Sequence, residues 1–192
     1  LIRMLKESVL ASGGKSECSI IGDESKTSCL DAALINGTMS YVVKLDQSSP
    51  HSSLGHPQPP MIPAALAVAE REGLGGREFI SSVLLGFDIE VRVAMAVNPS
   101  HTGERGFHTT GTCGTFGAAT AAGKLMRLSE EQMVHALGIA GTQAAGLVVS
   151  LETPCRSLHA GKAAYNGILA AMLAKKGFTG AEAIFEGKGG FC

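Results

Sequence analysis

Between Gly106 and Lys124 the chain reads GFHTTGTCGTFGAATAAGK, and this run limits what the rest can fold into. Gly111, Gly114 and Gly117 recur every third residue, followed by Ala118, Ala119, Ala121, Ala122 and Gly123. Wound as a helix, the run carries nothing larger than a methyl over much of its surface, so a second helix can approach its backbone closely. Each glycine costs a helix roughly 1 kcal/mol relative to alanine, so this many of them need a packing or functional reason. Two readings fit. The run is a buried helix crossing, or it is a crossing that holds His108, Thr109 and Thr110 at the mouth of a site.

A phosphate loop does not fit. Gly117 to Lys124 imitates a Walker loop, but five residues separate its glycines and Leu125 stands where a hydroxyl should meet magnesium. The triplet also lacks the G-x-G-x-x-G spacing and follows no Val/Ile-rich strand.

The chain has 192 residues, enough for one domain with a sizeable core. Apolar residues make up 45% while aromatics are only 5% and Trp is absent, a balance that favours closely packed helices over a sheet. The expected fold class is therefore all-α, a helical domain spanning 1–192. A formal charge of −1 leaves no electrostatic footprint for nucleic acid or an anionic membrane, and no apolar run is long enough to span a bilayer. Cys18, Cys29, Cys113, Cys155 and Cys192 form no C-x-x-C pair, so reduced, mostly buried thiols and a reducing compartment are expected, and structural zinc is not. That compartment is the cytoplasm, or the mitochondrial matrix if the source is eukaryotic. The Gly189-Gly190-Phe191-Cys192 ending reads like an interruption of something longer.

Periodicity predicts helices over Leu1–Leu10, Asp31–Val43, from Pro63 to Gly73, and from Gly76 to about Val97, where Phe79, Ile80, Val83, Leu84, Phe87, Val91 and Met95 recur at helical spacing. Asn36-Gly37 reads as a tight packing point, 46–60 as a polar, proline-rich loop, and Cys18–Gly22 as an extended connector. Ser129 and Gln132 form a capping box. A further helix runs from about His159 to Lys176 and stops at Gly177, with Phe178 folding back onto it. Thr179 to Glu182 reads as a second capping box. No strand–turn–strand pattern stands out.

Three histidines lie in small polar clusters, Gly55-His56-Pro57, Phe107-His108-Thr109 and Leu158-His159-Ala160. His135 falls inside an amphipathic helix, at the surface or core edge, while His51 and His101 lie in loops and are expected to be solvated. Arg105, Arg156 and Lys162 are near His108 and His159 in sequence. With helix N-termini they can bind an anion rich in carboxylates. No metal-binding spacing and no nucleophile elbow is present.

These motifs carry a resemblance. GFHTTGTCGTFGAATAAGK, ALGIAGTQAAGL, RSLHAGKAAYNGILAAMLAKKGFTGAEAIFEGKGGF, HPQPPMIPAALAVAE and NGTMSYVVKLD resemble the MmgE/PrpD family over nearly the whole chain. That family includes 2-methylcitrate dehydratases, cis-aconitate decarboxylases and an iminodisuccinate epimerase. The resemblance implies a large helical domain, a homodimer contact carried by it, a separate α/β lid domain missing from this chain, and no metal or organic cofactor. It places His56 and His108 in proton transfer or oxyanion stabilisation and Asp46 in orienting His56. Arg156, where the family usually has a lysine, and His159 bind the substrate carboxylates.

The chain departs from the pattern at three places. An acidic run of the family is here Lys44-Leu45-Asp46-Gln47, a histidine expected upstream is Tyr41, and arginine at 156 can clamp a carboxylate but cannot act as a proton donor near pH 7. The expected function is a 2-methylcitrate-dehydratase-like lyase (a hydro-lyase) acting on a di- or tricarboxylic acid, inactive as this chain alone. Decarboxylation of cis-aconitate or epimerisation at the same site is an alternative, and so is a non-catalytic dimeric scaffold.

Overall fold

Glycine sets the distances between the main helices. In the computed structural model, which describes residues 1–42, 56–97 and 100–192, α6 (Thr109–Leu125) is the central helix, and every one of its residues except Lys124 is buried. A Cβ added to Gly117 would stand 2.8 Å from the backbone oxygen of Gly86 on α4 (Gly76–Val97), and one on Gly86 would stand 2.6 Å from the oxygen of Gly117. The two helices therefore touch backbone to backbone. α2 (Cys29–Val42) crosses α8 (Cys155–Lys175) in the same way, with a Cβ on Gly37 falling 2.9 Å from Gly161 Cα. Alanine at either crossing would force the helices apart, an overpacking cost of about 1–3 kcal/mol.

Buried hydroxyls on α6 are satisfied locally. Thr115 and Thr120 donate to the carbonyls of Gly111 and Phe116 one turn back, at 2.8 and 2.9 Å. Around this axis lie α3 (Gln58–Glu72) and α7 (Glu130–Gln143), with α1 (Ile2–Ala11) outside α2. One apolar cluster gathers Ala65, Val68, Ala118, Ala122 and Ile168, and the other centres on Phe116, whose ring meets those of Phe185 and Phe191 at 4.9 and 4.7 Å. The described residues hold eight helices and one two-stranded sheet, and the fold is all-α, 69% helical.

Several boundaries differ from expectation. α3 begins at Gln58 rather than Pro63, because Pro59 and Pro60 sit in its first turn, where a missing N–H costs nothing. α8 begins at Cys155, which puts Arg156 inside the helix instead of before it. Cys18–Ser19 (β1) pairs antiparallel with Lys26–Thr27 (β2), a hairpin too short for period-two patterning to reveal. α5 (Ser100–Gly103) is a single turn.

The Ser129–Gln132 capping box forms as read, with bonds of 3.2 and 3.0 Å. Gly177, at φ +87°, ends α8 with Phe178 N–H donating to Leu173 O, but the Phe178 ring is 59% exposed rather than folded back. No helix follows Thr179; the segment to Gly190 is a series of turns.

The apolar stripe on α4 is split. Phe79 and Val83 pack on the core, whereas Ile80, Leu84 and Met95 are 58%, 65% and 54% exposed. The side that meets α6 is instead the one carrying Ser82, Gly86 and Glu90, where Gly86 lets the backbones touch and the Glu90 side chain lies against Gly117, which has none of its own.

Candidate active site

His108 is held by backbone before its side chain does anything. It is the N-cap of α6, its N–H donates to Gly146 O at 2.9 Å, and its carbonyl accepts from Gly111 and Thr112 in the first turn. Phe107 and Leu147 form an isolated bridge beside it, closed by Val148 N–H donating to Gly106 O. Two loops distant in sequence are thus fixed edge to edge. Gly146, at φ +141°, is required here twice over, since a Cβ would also meet the His159 ring at 3.3 Å.

Other elements bring their side chains to the same place. His56, just before α3, is anchored by its own N–H donating to Thr110 Oγ1 on α6 at 3.0 Å. Tyr41 comes from the last turn of α2, Arg156 from the first turn of α8, and His159 from one turn further on. Tyr41 Oη lies 3.3 Å from His108 Nε2, and His108 Nδ1 lies 3.0 Å from His159 Nδ1. The His56 ring stands edge-on to the Tyr41 ring at 5.4 Å, and the Arg156 guanidinium lies over that ring at 5.2 Å. Tyr41 thus touches His56, His108 and Arg156, and His159 joins the cluster through His108.

The electrostatics follow from burial and from positive neighbours. His108 is 4% exposed, and its pKa falls from 6.5 to about 3, mainly by desolvation and then by His159, His56 and Arg156. Burial also lowers that of His159. At neutral pH His108 stays neutral, so it passes a proton by taking one on one ring nitrogen as it gives one up from the other. Arg156 is half-exposed and supplies the fixed positive charge.

The structure thus gathers His56, His108, Arg156 and His159 in one place. Asp46, expected to orient His56, and His51 lie outside the described residues. His101 corrects the expectation of a solvated loop histidine: it is 2% exposed, its Nε2 meets Thr112 Oγ1 at 2.8 Å, and it stacks on Phe107. It lies within the short turn α5, and the Phe191 ring packs on it at 5.3 Å. Arg105 faces a separate hollow with His101 and does not join the site. Lys162 borders the hollow beside His159. Tyr41 is the residue that sequence reasoning passed over. Its only signal was that it stands where a histidine was expected. Among the described residues no three His, Cys, Asp or Glu side chains are grouped so as to hold a metal ion.

Comparison with known proteins then settles the family. A family model described as "MmgE/PrpD N-terminal domain" matches residues 1–192. The chain belongs to the MmgE/PrpD family. A cis-aconitate decarboxylase-like protein of Aspergillus oryzae is 33% identical over 183 residues, covering 91% of this chain and 38% of its own length. A cis-aconitate decarboxylase of Aspergillus terreus is 31% identical over 181 residues, covering 91% and 37%. The human cis-aconitate decarboxylase is 28% identical over 164 residues, covering 83% and 34%. This MmgE/PrpD chain therefore spans under two-fifths of the length of these relatives.

Proposed function

We propose that the protein is a lyase acting beside a carboxylate of a di- or tricarboxylic acid, and that it works as a homodimer. The observation that carries this reading is the Arg156 guanidinium over Tyr41, with the His56 and His108 rings against the same tyrosine and His159 joined to them through His108. Breaking a bond next to a carboxylate leaves negative charge that spreads onto that carboxylate. A guanidinium meets such charge with two parallel N–H donors, and imidazoles move the accompanying proton. Burial of His108 shields the proton transfer from solvent, while half-exposed Arg156 attracts the carboxylate.

In this reading Arg156 and His159 hold carboxylates and His56 and His108 handle the proton. Asp46 orients His56. Decarboxylation of cis-aconitate stands ahead of dehydration of 2-methylcitrate, because the named relatives are decarboxylases. The test is a proton NMR time course of the intact gene product with each acid. Loss of carbon dioxide from cis-aconitate, or loss of water from 2-methylcitrate, is the expected result. Failure to turn over either acid would overturn the lyase reading and leave a dimeric, non-catalytic family member.

A further inference from the structure

His108 stands between two partners and has no free ring nitrogen. Nε2 is taken by Tyr41 Oη and Nδ1 by His159 Nδ1, and the ring is buried. A substrate atom cannot bond to it without displacing one of them. The two ends of this chain of groups differ. At one end the Tyr41 ring, itself buried, lies under Arg156 and beside His56. The His159 end borders a hollow of about 310 Å³, which Ser150, Lys162 and Asn166 also line.

We propose that Tyr41, His108 and His159 form a proton relay, with Tyr41 facing the substrate at Arg156 and His159 exchanging protons with the hollow at Lys162. The proposal rests on the lyase reading and revises one assignment within it: Arg156 holds the carboxylate, Tyr41 meets the substrate, and His159 exchanges protons at the far end rather than binding a carboxylate.

Two arrangements of protons satisfy both contacts. In the first, His159 Nδ1–H donates to His108 Nδ1, His108 Nε2–H donates to Tyr41 Oη, and the phenol proton points to the substrate. In the second, the phenol O–H donates to Nε2 and His108 Nδ1–H donates to His159 Nδ1. Delivery converts the first into the second, starting with His159 protonated on both nitrogens. The phenol proton goes to the substrate anion, the Nε2 proton passes to Tyr41 Oη, and the His159 Nδ1 proton passes to His108 Nδ1. His159 is left neutral with its remaining proton on Nε2. Removal of a substrate proton runs the same transfers backwards and leaves the positive charge on His159. Protons and charge balance in both directions, and His108 stays neutral throughout.

Among the described residues, few groups face His159. α6 presents His108 and Gly111, α8 itself presents Lys162 and Asn166, and the segment after α7 presents Gly146, Leu147 and Ser150. Lys162 is held over the Tyr165 ring at 4.6 Å. The acid or base limb that the relay adds to turnover is therefore that of His159.

Tyr41→Phe is the direct test, since it keeps the ring under Arg156 and removes only the hydroxyl. In the 192-residue chain labelled with ¹⁵N-histidine, it should change the Nδ1/Nε2 proton partition of both His108 and His159. A change confined to His108, or none, overturns the relay. In the intact enzyme it should lower kcat by about a hundredfold with little change in KM, and remove the His159 limb of the pH–rate profile. His159→Gln should remove the same limb, which keeps the test decisive if Tyr41→Phe folds poorly. Near-normal kcat with an unaltered profile in either variant counts against the relay alone. An intact wild-type protein without turnover on any acid defeats the lyase reading, and the tautomer measurement still judges the relay.

Discussion

His108 is buried among groups that oppose its protonation, and this links the site to the stability of the whole fold. Its pKa falls from the ordinary 6.5 to about 3 on folding. The unfolded chain therefore binds more protons than the folded one between those values, and stability drops as pH falls from 6.5 towards 3. The contribution is fully present above 6.5, and each pH unit below costs about 1.4 kcal/mol from this residue. His101 and His159 are depressed by burial and act in the same direction. Thermal unfolding of His108→Gln should show a shallower loss of Tm between pH 7 and pH 5 than wild type. Parallel curves for the two proteins would mean that His108 is charged in the folded state. His56, His108, Arg156 and His159 could be picked out in the sequence because each lies in a motif with recognisable neighbours. Tyr41 could not, since its role comes from the α2–α8 crossing that lays its ring beneath Arg156.

The helix α4 was legible as a helix, but its orientation was not. Periodicity marks a seven-residue apolar series along it, and nothing in that series says that α6 will pack on the side of Gly86 and Glu90. Caps and glycine stops were readable because their bonds are local, as at Ser129 and Gly177. The hairpin at Cys18–Thr27 and the start of α3 were misread. Two-residue strands carry no period, and prolines in a first helical turn look like loop. The outward stripe of Ile80, Leu84 and Met95 is apolar surface without cover among the described residues. We propose that a second copy covers it, as the helical-domain dimer of the resemblance implies. Light scattering should give twice the chain mass at micromolar concentration, and Leu84→Glu should shift the protein to monomer. A wild-type monomer under those conditions would count against the dimer.

At the scale of the whole molecule, four helices and two loops converge so that one cation and two imidazoles surround a tyrosine, with a third imidazole behind His108. Close helix crossings at Gly37–Gly161 and Gly86–Gly117 fix their spacing. The all-α class was readable from composition, because a core of alanine and glycine packs helices and cannot fill a sheet sandwich. The convergence itself was not, because it depends on which helices cross. No helix among the described residues is long and apolar enough to cross a membrane. Since Arg156 is half-exposed, it can attract a carboxylate even where the pocket stays too hydrated for chemistry. The central claim is that this cluster is a carboxylate site, and calorimetric titration of cis-aconitate into the 192-residue chain tests it most directly. The account predicts weak saturable binding without turnover, weakened at least about tenfold (roughly 1.4 kcal/mol) by Arg156→Ala and unchanged by His135→Ala, whose ring bonds Gly180 O away from the site. Absence of binding, or equal affinity in Arg156→Ala and wild type, would contradict it.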